Sequence, residues 1–530
     1  MLSDSILVAM DGQSESPHWR LILTVLFSLL VVYASRTIYL HYSNPLRKIP
    51  GPWLARYTRF WLWKSIVSRD WHTICLASHR RYGPIVRIAP NEYSIDDPEA
   101  PKIIFRSRNQ LEKAPWYHVF TAPGEPEPMF TIVGNQRHLE RRRQVNEFYT
   151  TGAINRLAYR VDHVSRLFFD KLSHQASSEG DNPFDICQML RFYVYDALAN
   201  ITFGQVFGCL EDNSDVNGLI GATAAFIQYG TIVGPFVEWH PVIIRLLQAL
   251  TPGGNKGLLY LKSIGEKAMS NMEEYPELSG SKKAGLEKGH EEPHSLVGMM
   301  QEKHLTDPST FTRDDVSYHM IPNIAAGAAS TTATLSAVVY YLWRNPRVLA
   351  RLRDELDHWA AAKEQKSTDG AFSMTAAHDL PYLQAVLKEV LRIFPLGVNQ
   401  VRVVPEGGLT IANQFFPAGT LVGMNAYATH ANRDIFGLDA DDFNPERWLG
   451  HPETVAQMEQ YQLPFGRGPR FCVGKNIALL LLNTLIPELV LQFDFMLIEP
   501  DKEWTVYNET FMYQKELQVK VRERIVVDAV

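Results

Sequence analysis

The sequence predicts a mainly α-helical domain with a small β region, preceded by one N-terminal transmembrane helix. Three observations support this fold class. Residues 21–40 form a single apolar run, LILTVLFSLLVVYASRTIYL, and helical spacing of apolar residues prevails from there to about residue 400. Between residues 401 and 422 the pattern changes to the short segments VRVV, LTI and TLVG, which the turn sequences PEGG and PAG separate.

Composition limits the classes of protein to consider. The chain has 530 residues, of which 46% are hydrophobic and 21% charged, so it can bury a large core. The formal net charge of −6 predicts no nucleic-acid partner. The four cysteines are scattered, with no CxxC pair and no His/Cys cluster, which argues against a disulfide framework, a zinc site and an iron–sulfur centre. A reducing compartment is therefore expected.

The apolar run at residues 21–40 is interpreted as a membrane anchor. Twenty helical residues span about 30 Å, the thickness of the hydrocarbon core. Asp4, Asp11 and Glu15 precede the run, whereas a cleaved signal peptide needs a basic start. Arginine and lysine residues follow the run, so the positive-inside rule places the main body in the cytoplasm. A buried helix is the alternative.

The expected organisation follows from this anchor. It comprises a short lumenal N-terminus (1–20), the anchor (21–40), a proline-rich hinge (41–52) and one large domain (53–530). Residues 276–295 and 361–374 are polar stretches that predict surface loops.

The segment FGRGPRFCVG surrounds Cys472 with features suited to a metal-bound thiolate. The apolar sequence after Cys472 predicts a helix whose free N–H groups and positive dipole end face the sulfur. Gly468 and Gly474 allow close approach and a turn, Phe465 could shield the sulfur, and Arg470 could reach an anionic group. One cysteine without companion ligands suits a heme iron held from one side. A buried free cysteine in a glycine-rich turn is the alternative.

The spacing Phe-x-x-Gly-x-Arg-x-Cys-x-Gly resembles the heme-binding loop of the cytochrome P-450 family. The segments RVVPEGGLTI and YYLWRNP look most like fungal secondary-metabolite members of the pisatin-demethylase-like type, and the resemblance extends from the anchor to the end of the chain. It implies a cytochrome P-450 fold and heme b (iron protoporphyrin IX), with Cys472 as the axial ligand of the iron.

Further arginines match the family's conserved network. Glu389 and Arg392 stand three residues apart on a predicted helix, YLQAVLKEVLRIF, and Arg447 follows in FNPERW. An exposed ion pair of little energetic value is the alternative for the first two residues. The resemblance implies instead that Glu389, Arg392 and Arg447 form a buried structural triad.

Four basic residues match positions that hold the heme propionates in the resembled family. His138 and Arg142 occupy the slots of a motif that usually reads Trp-x-x-x-Arg, Arg402 matches the strand arginine, and Arg470 matches the loop arginine. Arginine can hold a carboxylate through paired hydrogen bonds. For the arginines at 141–143, a solvated basic face is the alternative.

Residues 314–343 predict one long helix, which Thr312 can cap and which Pro322 should bend. The family pattern Ala-Gly-x-Asp/Glu-Thr-Thr/Ser places Ser330 and Thr331 at the catalytic alcohol positions. Ala329 occupies the acid position, so the carboxylate that normally helps to relay protons is missing.

The resemblance implies a membrane-anchored heme-thiolate monooxygenase that hydroxylates or otherwise oxidises a lipophilic small molecule in fungal secondary-metabolite biosynthesis. Electrons would come from an NADPH–cytochrome reductase or a cytochrome b-type donor. The expected location is the endoplasmic reticulum membrane, with a single pass and the catalytic domain in the cytoplasm. Two alternatives remain: a heme-thiolate isomerase, dehydratase or reductase-type enzyme, suggested by Ala329, and a non-catalytic heme-binding protein.

Overall fold

The computed structural model of the protein describes residues 18–121, 127–178, 182–250, 256–274, 295–364, 372, 374–397 and 399–525. Most of the predicted lumenal segment 1–20, and most of the predicted loops 276–295 and 361–374, lie outside these residues.

Helices dominate the described chain, as predicted. In the N-terminal part they are α1 (His18–Ser43), α2 (Phe60–Val67), α3 (Trp71–Tyr82), α4 (Ala100–Ile104), α5 (Asn135–Val145), α6 (Thr151–Asn155), α7 (Ala158–Ser178), α8 (Ile186–Phe203), α9 (Cys209–Asp212), α10 (Leu219–Val233), α11 (His240–Leu250) and α12 (Lys256–Glu274). They continue with α13 (Leu296–Thr306), α14 (Arg313–Arg344), α15 (Pro346–Glu364), α16 (Met374–His378), α17 (Pro381–Ile393), α18 (Ala426–His430), α19 (Arg433–Phe436), α20 (Pro452–Tyr461) and α21 (Lys475–Gln492).

The strands are short and form several small sheets. They are β1 (Ile85–Ala89), β2 (Glu92–Ile95), β3 (Glu112–Lys113), β4 (Phe184–Asp185), β5 (Asn399–Val403), β6 (Leu409–Ile411), β7 (Gln414–Phe416), β8 (Leu421–Asn425), β9 (Phe493–Leu497), β10 (Val506–Asn508), β11 (Met512–Gln514) and β12 (Gln518–Glu523). The largest sheet has the order β1-β2-β8-β5-β3, in which β2 and β8 are parallel and the other pairs antiparallel. A second sheet has the order β4-β12-β9, and β6–β7 and β10–β11 are hairpins.

The strand prediction for residues 401–422 is confirmed, but strands outside that region were missed. Strands β1 and β2 are almost entirely buried, so they lack the alternation of polar and apolar residues that marks a half-exposed strand. Strand β3 is only two residues long and pairs with β5, nearly 300 residues later in the chain. Pairing of this kind depends on tertiary contacts that local sequence does not encode.

Helix α14 crosses the centre of the domain, and a capping box fixes its first turn. The hydroxyl of Thr312 accepts from the N–H of Asp315, and the Asp315 carboxylate accepts from the N–H of Thr312. At Gly327 the helix packs closely on α8, because a Cβ there would lie 3.1 Å from Leu198 Cδ1. Small residues in this helix therefore serve close packing as well as an open cavity.

Helix α1 stands apart from the domain. The segment Trp19–Ser43 has a mean hydropathy of 2.0, and none of its most apolar window is buried. It is long and apolar enough to cross a membrane. After it, the proline-rich segment contacts the large sheet: Arg87 donates its backbone N–H to the carbonyl of Pro50 at 2.8 Å and its guanidinium to the carbonyl of Leu46 at 2.7 Å.

Glu389 lies at the centre of a buried charge network. Arg392 donates to both carboxylate oxygens at 2.8 Å, and Arg447 donates Nε to Oε1 at 3.0 Å. The indole of Trp448 and the backbone N–H of Asn444 add further hydrogen bonds at 2.9 Å. The carboxylate is completely buried. The network thus joins α17 to the segment before α20.

This network leads to the cysteine loop through His430. Its Nδ1 lies 2.9 Å from the carbonyl of Arg392, and its Nε2 accepts from the N–H of Leu463 at 2.7 Å, two residues before Phe465. A carbonyl on one side and an N–H on the other require the neutral ring with its proton on Nδ1. Burial lowers the pKa of His430 to about 3, which agrees with that assignment.

Glu389→Gln is expected to lower the free energy of unfolding by about 3–5 kcal/mol, because two buried guanidinium groups lose their counter-charge. Urea unfolding followed by circular dichroism measures the change. Glu99→Gln is the matched control: it removes an exposed ion pair with Lys102 and should cost less than about 1 kcal/mol. Equal effects of the two substitutions would contradict a supporting role for Glu389.

Candidate active site around Cys472

A cavity of about 340 Å³ lies between α14 and the loop that precedes α21. Eight of the predicted site residues line it: Cys472, Phe465, Arg470, Arg402, His138, Arg142, Ser330 and Thr331. Three do not line it and are instead buried below it in the charge network: Glu389, Arg392 and Arg447. The remaining lining is predominantly apolar and aromatic, which suits a flat hydrophobic cofactor and a lipophilic ligand.

The sulfur of Cys472 lies at the N-terminus of α21. Its backbone N–H donates to the carbonyl of Phe465 at 2.8 Å, which closes the loop, and its side chain is open to the cavity although protein surrounds it. Burial raises the pKa of the Cys472 thiol. The backbone N–H groups of Gly474 and Lys475, which hydrogen-bond to the sulfur, and the Arg142 guanidinium act in the opposite direction. The surroundings therefore offer both the donors and the positive charge that a thiolate requires.

The glycines of the loop have distinct roles. Gly468 has φ +68°, and a Cβ there would lie only 2.0 Å from the carbonyl oxygen of Phe105, so no other residue fits. Gly466 also adopts a left-handed conformation, with φ +69°, which the sequence analysis did not anticipate. The expectation for Gly474 was wrong: its φ is −78°, and a Cβ would make an ordinary contact with the Cys472 sulfur. Gly474 serves as the N-cap of α21.

Basic side chains gather at the cavity wall. Arg142, Arg402, Arg470 and His138 were predicted, and the structure adds Lys113 from β3. Burial lowers the pKa of Lys113 well below its usual range, and the charges of Arg402 and Arg470 lower it further. Burial and the same positive neighbours lower the pKa of His138 to about 3, so this ring is neutral. Sequence reasoning missed Lys113 because its position depends on the pairing of β3 with β5.

Neighbouring carbonyl groups orient the arginines. Arg470 donates to the carbonyls of Ile132 and Val133 at 2.6 Å, and its buried Nε has no partner in the described part of the chain. Arg142 donates to the carbonyl of Phe471 at 3.0 Å. Carbonyl groups leave the positive charges uncompensated, so an anion is needed among these side chains. The residues present therefore fit an iron porphyrin, whose two carboxylates would supply that charge.

Helix α14 forms the opposite wall. The hydroxyl of Ser330 donates to the carbonyl of Ala326 at 2.8 Å, and Thr331 lines the cavity beside it. Ala329, at the acid position, is not among the residues that line the cavity.

Two polar residues that lie about two and three turns before Thr331 on α14 were not predicted. Asn323 accepts from the hydroxyl of Tyr149 at 2.8 Å, and its buried Nδ2 has no partner among the described residues. Burial lowers the pKa of His319 to about 4, and its Nε2 likewise has no described partner. Both residues line the cavity. With Gly327 and Thr331 they form a series spaced four residues apart, which places all of them on one face of the helix, and this spacing can be read from the sequence.

A lone cysteine among backbone N–H donors, facing a cavity with unpaired cations, defines a heme-thiolate protein. Residues 50–521 match the family described as Cytochrome P450. A pisatin demethylase of Fusarium vanettenii is 36% identical over 481 residues, covering 90% of each chain. The cytochrome P450 monooxygenase gsfF of Penicillium aethiopicum is 32% identical, covering 95% of this chain and 98% of that protein.

The chain therefore belongs to the cytochrome P450 family and is of the pisatin-demethylase-like type. It is a heme-binding monooxygenase. The fold agrees, since a crystal structure of a cytochrome P450 superposes with a TM-score of 0.70 at 20% identity, covering 90% of this chain and 98% of that one.

Proposed function

We propose that the protein is a membrane-anchored monooxygenase that oxidises a lipophilic small molecule in fungal secondary metabolism, with electrons from a membrane-bound NADPH–cytochrome reductase or a cytochrome b-type donor. The single observation that carries this proposal is the position of the Cys472 sulfur, which faces the cavity and accepts from N–H groups at the start of α21. The named relatives are cytochrome P450 monooxygenases and two pisatin demethylases. None of these names favours the isomerase or non-catalytic alternatives.

Each site residue receives a distinct role. Cys472 would bind the heme iron, and Phe465 would cover the sulfur. Arg142, Arg402 and Arg470 would hold the heme carboxylates, together with the residues His138 and Lys113. When bound, the heme supplies the activation of dioxygen, to which a thiolate ligand contributes electron density. The protein supplies position, charge and protons.

Proton delivery is assigned to Ser330 and Thr331. Because the Ser330 proton is held by the carbonyl of Ala326, the lone pairs of its oxygen remain free to accept from a water molecule. This water would then be positioned at the cavity. Without a carboxylate at Ala329, the hydroxyl groups and water together must pass protons from solvent.

Association with the membrane is supported by two apolar surfaces. Helix α1 is one, and the other consists of exposed large apolar side chains on α11 and near α2: Trp53, Leu54, Phe60, Trp239, Val242, Leu246 and Leu250. Arg59 pairs with Glu238 at 2.5 Å, and the indole of Trp63 donates to the carbonyl of Ile232 at 3.1 Å. These contacts hold the region of α2 beside the region of α11. The proposed location is the endoplasmic reticulum membrane, with the catalytic domain in the cytoplasm.

Membrane orientation can be tested in microsomes with the full-length chain. An N-linked glycosylation acceptor fused before Met1 should be glycosylated, because the acidic N-terminus is expected in the lumen. The same acceptor fused after Val530 should remain unmodified and accessible to added protease. Glycosylation at the C-terminus would overturn the proposed orientation.

Thiolate ligation is tested by the reduced carbon monoxide complex of the purified protein. The red-shifted absorbance band characteristic of heme-thiolate ligation should form in the wild-type protein and be lost in Cys472→Ser, because serine does not provide a thiolate. Cys187→Ala removes a buried cysteine that does not line the cavity and should retain the band. A normal band in Cys472→Ser, or none in correctly assembled wild-type protein, would refute the proposal.

If Ser330 delivers protons, replacing it should lower the amount of product formed per NADPH consumed and should leave substrate binding unchanged. With an accepted substrate, reductase and NADPH, Ser330→Ala should divert a larger share of electrons to hydrogen peroxide, with product per NADPH falling about 100-fold, the lower end of the effect of one proton-transfer group. Thr332→Val is the control, since this buried hydroxyl lies two residues away but does not line the cavity. If product per NADPH is unchanged in Ser330→Ala, Ser330 does not deliver the protons.

A further inference from the structure

The charges that line the cavity are distributed unevenly. Three arginines, Arg142, Arg402 and Arg470, and one lysine, Lys113, line it. The heme carboxylates account for this group. Among the described lining residues only one carboxylate is present, that of Glu509, and no step of the proposed function uses it.

Glu509 lies in the tight turn between β10 and β11, and the turn is firmly held. The backbone N–H of Glu509 donates to the carbonyl of Phe511 at 2.9 Å. Thr510 next to it is bound to α10: its N–H donates to Thr231 Oγ1 at 2.9 Å, and the two hydroxyl groups lie 2.8 Å apart. Asn508 on the other side is buried. The carboxylate therefore projects from a fixed backbone.

Among the described residues, Arg69 forms the salt bridge with Glu509 and lies on its outer side. The two groups are 3.2 Å apart; the Arg69 side chain is 44% exposed and that of Glu509 only 10%. Arg69 does not line the cavity. Its carbonyl accepts from the N–H of Asn508 at 2.6 Å, which locks the arginine's backbone, with φ +63°, against the turn. The cation thus faces solvent and the negative end of the pair faces the cavity.

Arg69 meets the Glu509 carboxylate from its outer side and does not line the cavity, so a donor on a bound molecule can approach the carboxylate from the cavity side. Burial raises the pKa of Glu509, and the positive charge of Arg69 opposes that change. A ligand that presents an anion at this place would meet like charge, whereas an ammonium or hydroxyl group would form a charge-assisted hydrogen bond.

We propose that Glu509 is a specificity-determining residue that accepts a hydrogen bond from a cationic amine or a hydroxyl group of an otherwise lipophilic substrate, and that it disfavours carboxylate-bearing molecules. This inference rests on the proposed function, because it assumes that the cavity above the heme holds the substrate. The apolar lining indicates only that the substrate is lipophilic, and Glu509 adds that the substrate carries an amine or a hydroxyl group.

Three probes with the same unbranched apolar chain and different head groups test the proposal: decyldimethylammonium, which keeps one N–H donor, decan-1-ol and decanoate. Their dissociation constants are measured by optical titration of the heme absorbance of full-length ferric protein. The wild-type protein should bind the cation more tightly than the anion. Glu509→Gln should reduce the ratio of cation to anion affinity about 10-fold, the lower end expected for one charge-assisted contact, and should change decanol binding little.

Two variants serve as controls. Glu503→Gln removes an exposed carboxylate just before β10 that is not part of the lining, so it should leave the affinity ratio within about two-fold of wild type, as expected for a screened surface charge. Arg69→Gln removes the opposing charge and should raise the ratio of cation to anion affinity. The two substitutions are expected to change the ratio of cation to anion affinity in opposite directions. General damage to the protein therefore cannot produce both results.

The outcomes separate the two proposals. If the wild-type protein shows the thiolate carbon monoxide band but has no preference for the cation, or if both Glu509→Gln and Arg69→Gln leave the ratio unchanged, the role of Glu509 is overturned and the monooxygenase proposal stands. If the wild-type protein never shows the band, the proposed function fails, and the inference about Glu509 falls with it.

Discussion

The site depends on keeping one negatively charged sulfur stable inside the protein. Burial opposes ionisation of Cys472, and the two N–H groups at the start of α21 together with Arg142 favour it. These donors are available only because the first N–H groups of a helix have no partners within the helix. The loop must therefore end at the helix N-terminus, and the left-handed glycines Gly466 and Gly468 allow it to do so.

Buried arginines in this protein fall into two groups with different purposes. Arg392 and Arg447 share the carboxylate of Glu389, so their charges are neutralised by the protein itself and their role is support. Arg402 and Arg470 have carbonyl partners, and no salt bridge to a carboxylate is found for either in the described chain. Arg87 is also fully buried with carbonyl partners, but it does not line the cavity and serves the packing of the large sheet. Carbonyl partners together with a position on the cavity wall therefore distinguish Arg402 and Arg470 as charges that an external anion can complete.

The sequence was informative wherever a signal is local. Thr312 marked the start of α14 correctly, and the loop spacing drew attention to Cys472, which lines the cavity. His319 and Asn323 were missed although their spacing on α14 was available in the sequence, whereas the other missing parts depend on contacts between distant segments. Lys113 reaches the cavity through the pairing of β3 with β5, and Glu509 is oriented by Arg69, which lies 440 residues earlier in the chain. The conformation of Gly466 likewise becomes evident only in the folded loop.

Helix α14 shows how packing restricts the chemistry available at the site. Gly327 is pressed against Leu198 of α8, and Ala328 is fully buried, so this part of the helix accommodates no larger side chains without displacing α8. The polar side chains nearest to it on the cavity wall are Asn323, one turn earlier, and the hydroxyl groups of Ser330 and Thr331, one turn later. A hydroxyl can pass a proton onward but does not store one near neutral pH, as a carboxylate with a raised pKa can. Proton supply at this helix must therefore depend on water that the hydroxyl groups hold in place, and on how readily that water exchanges with solvent.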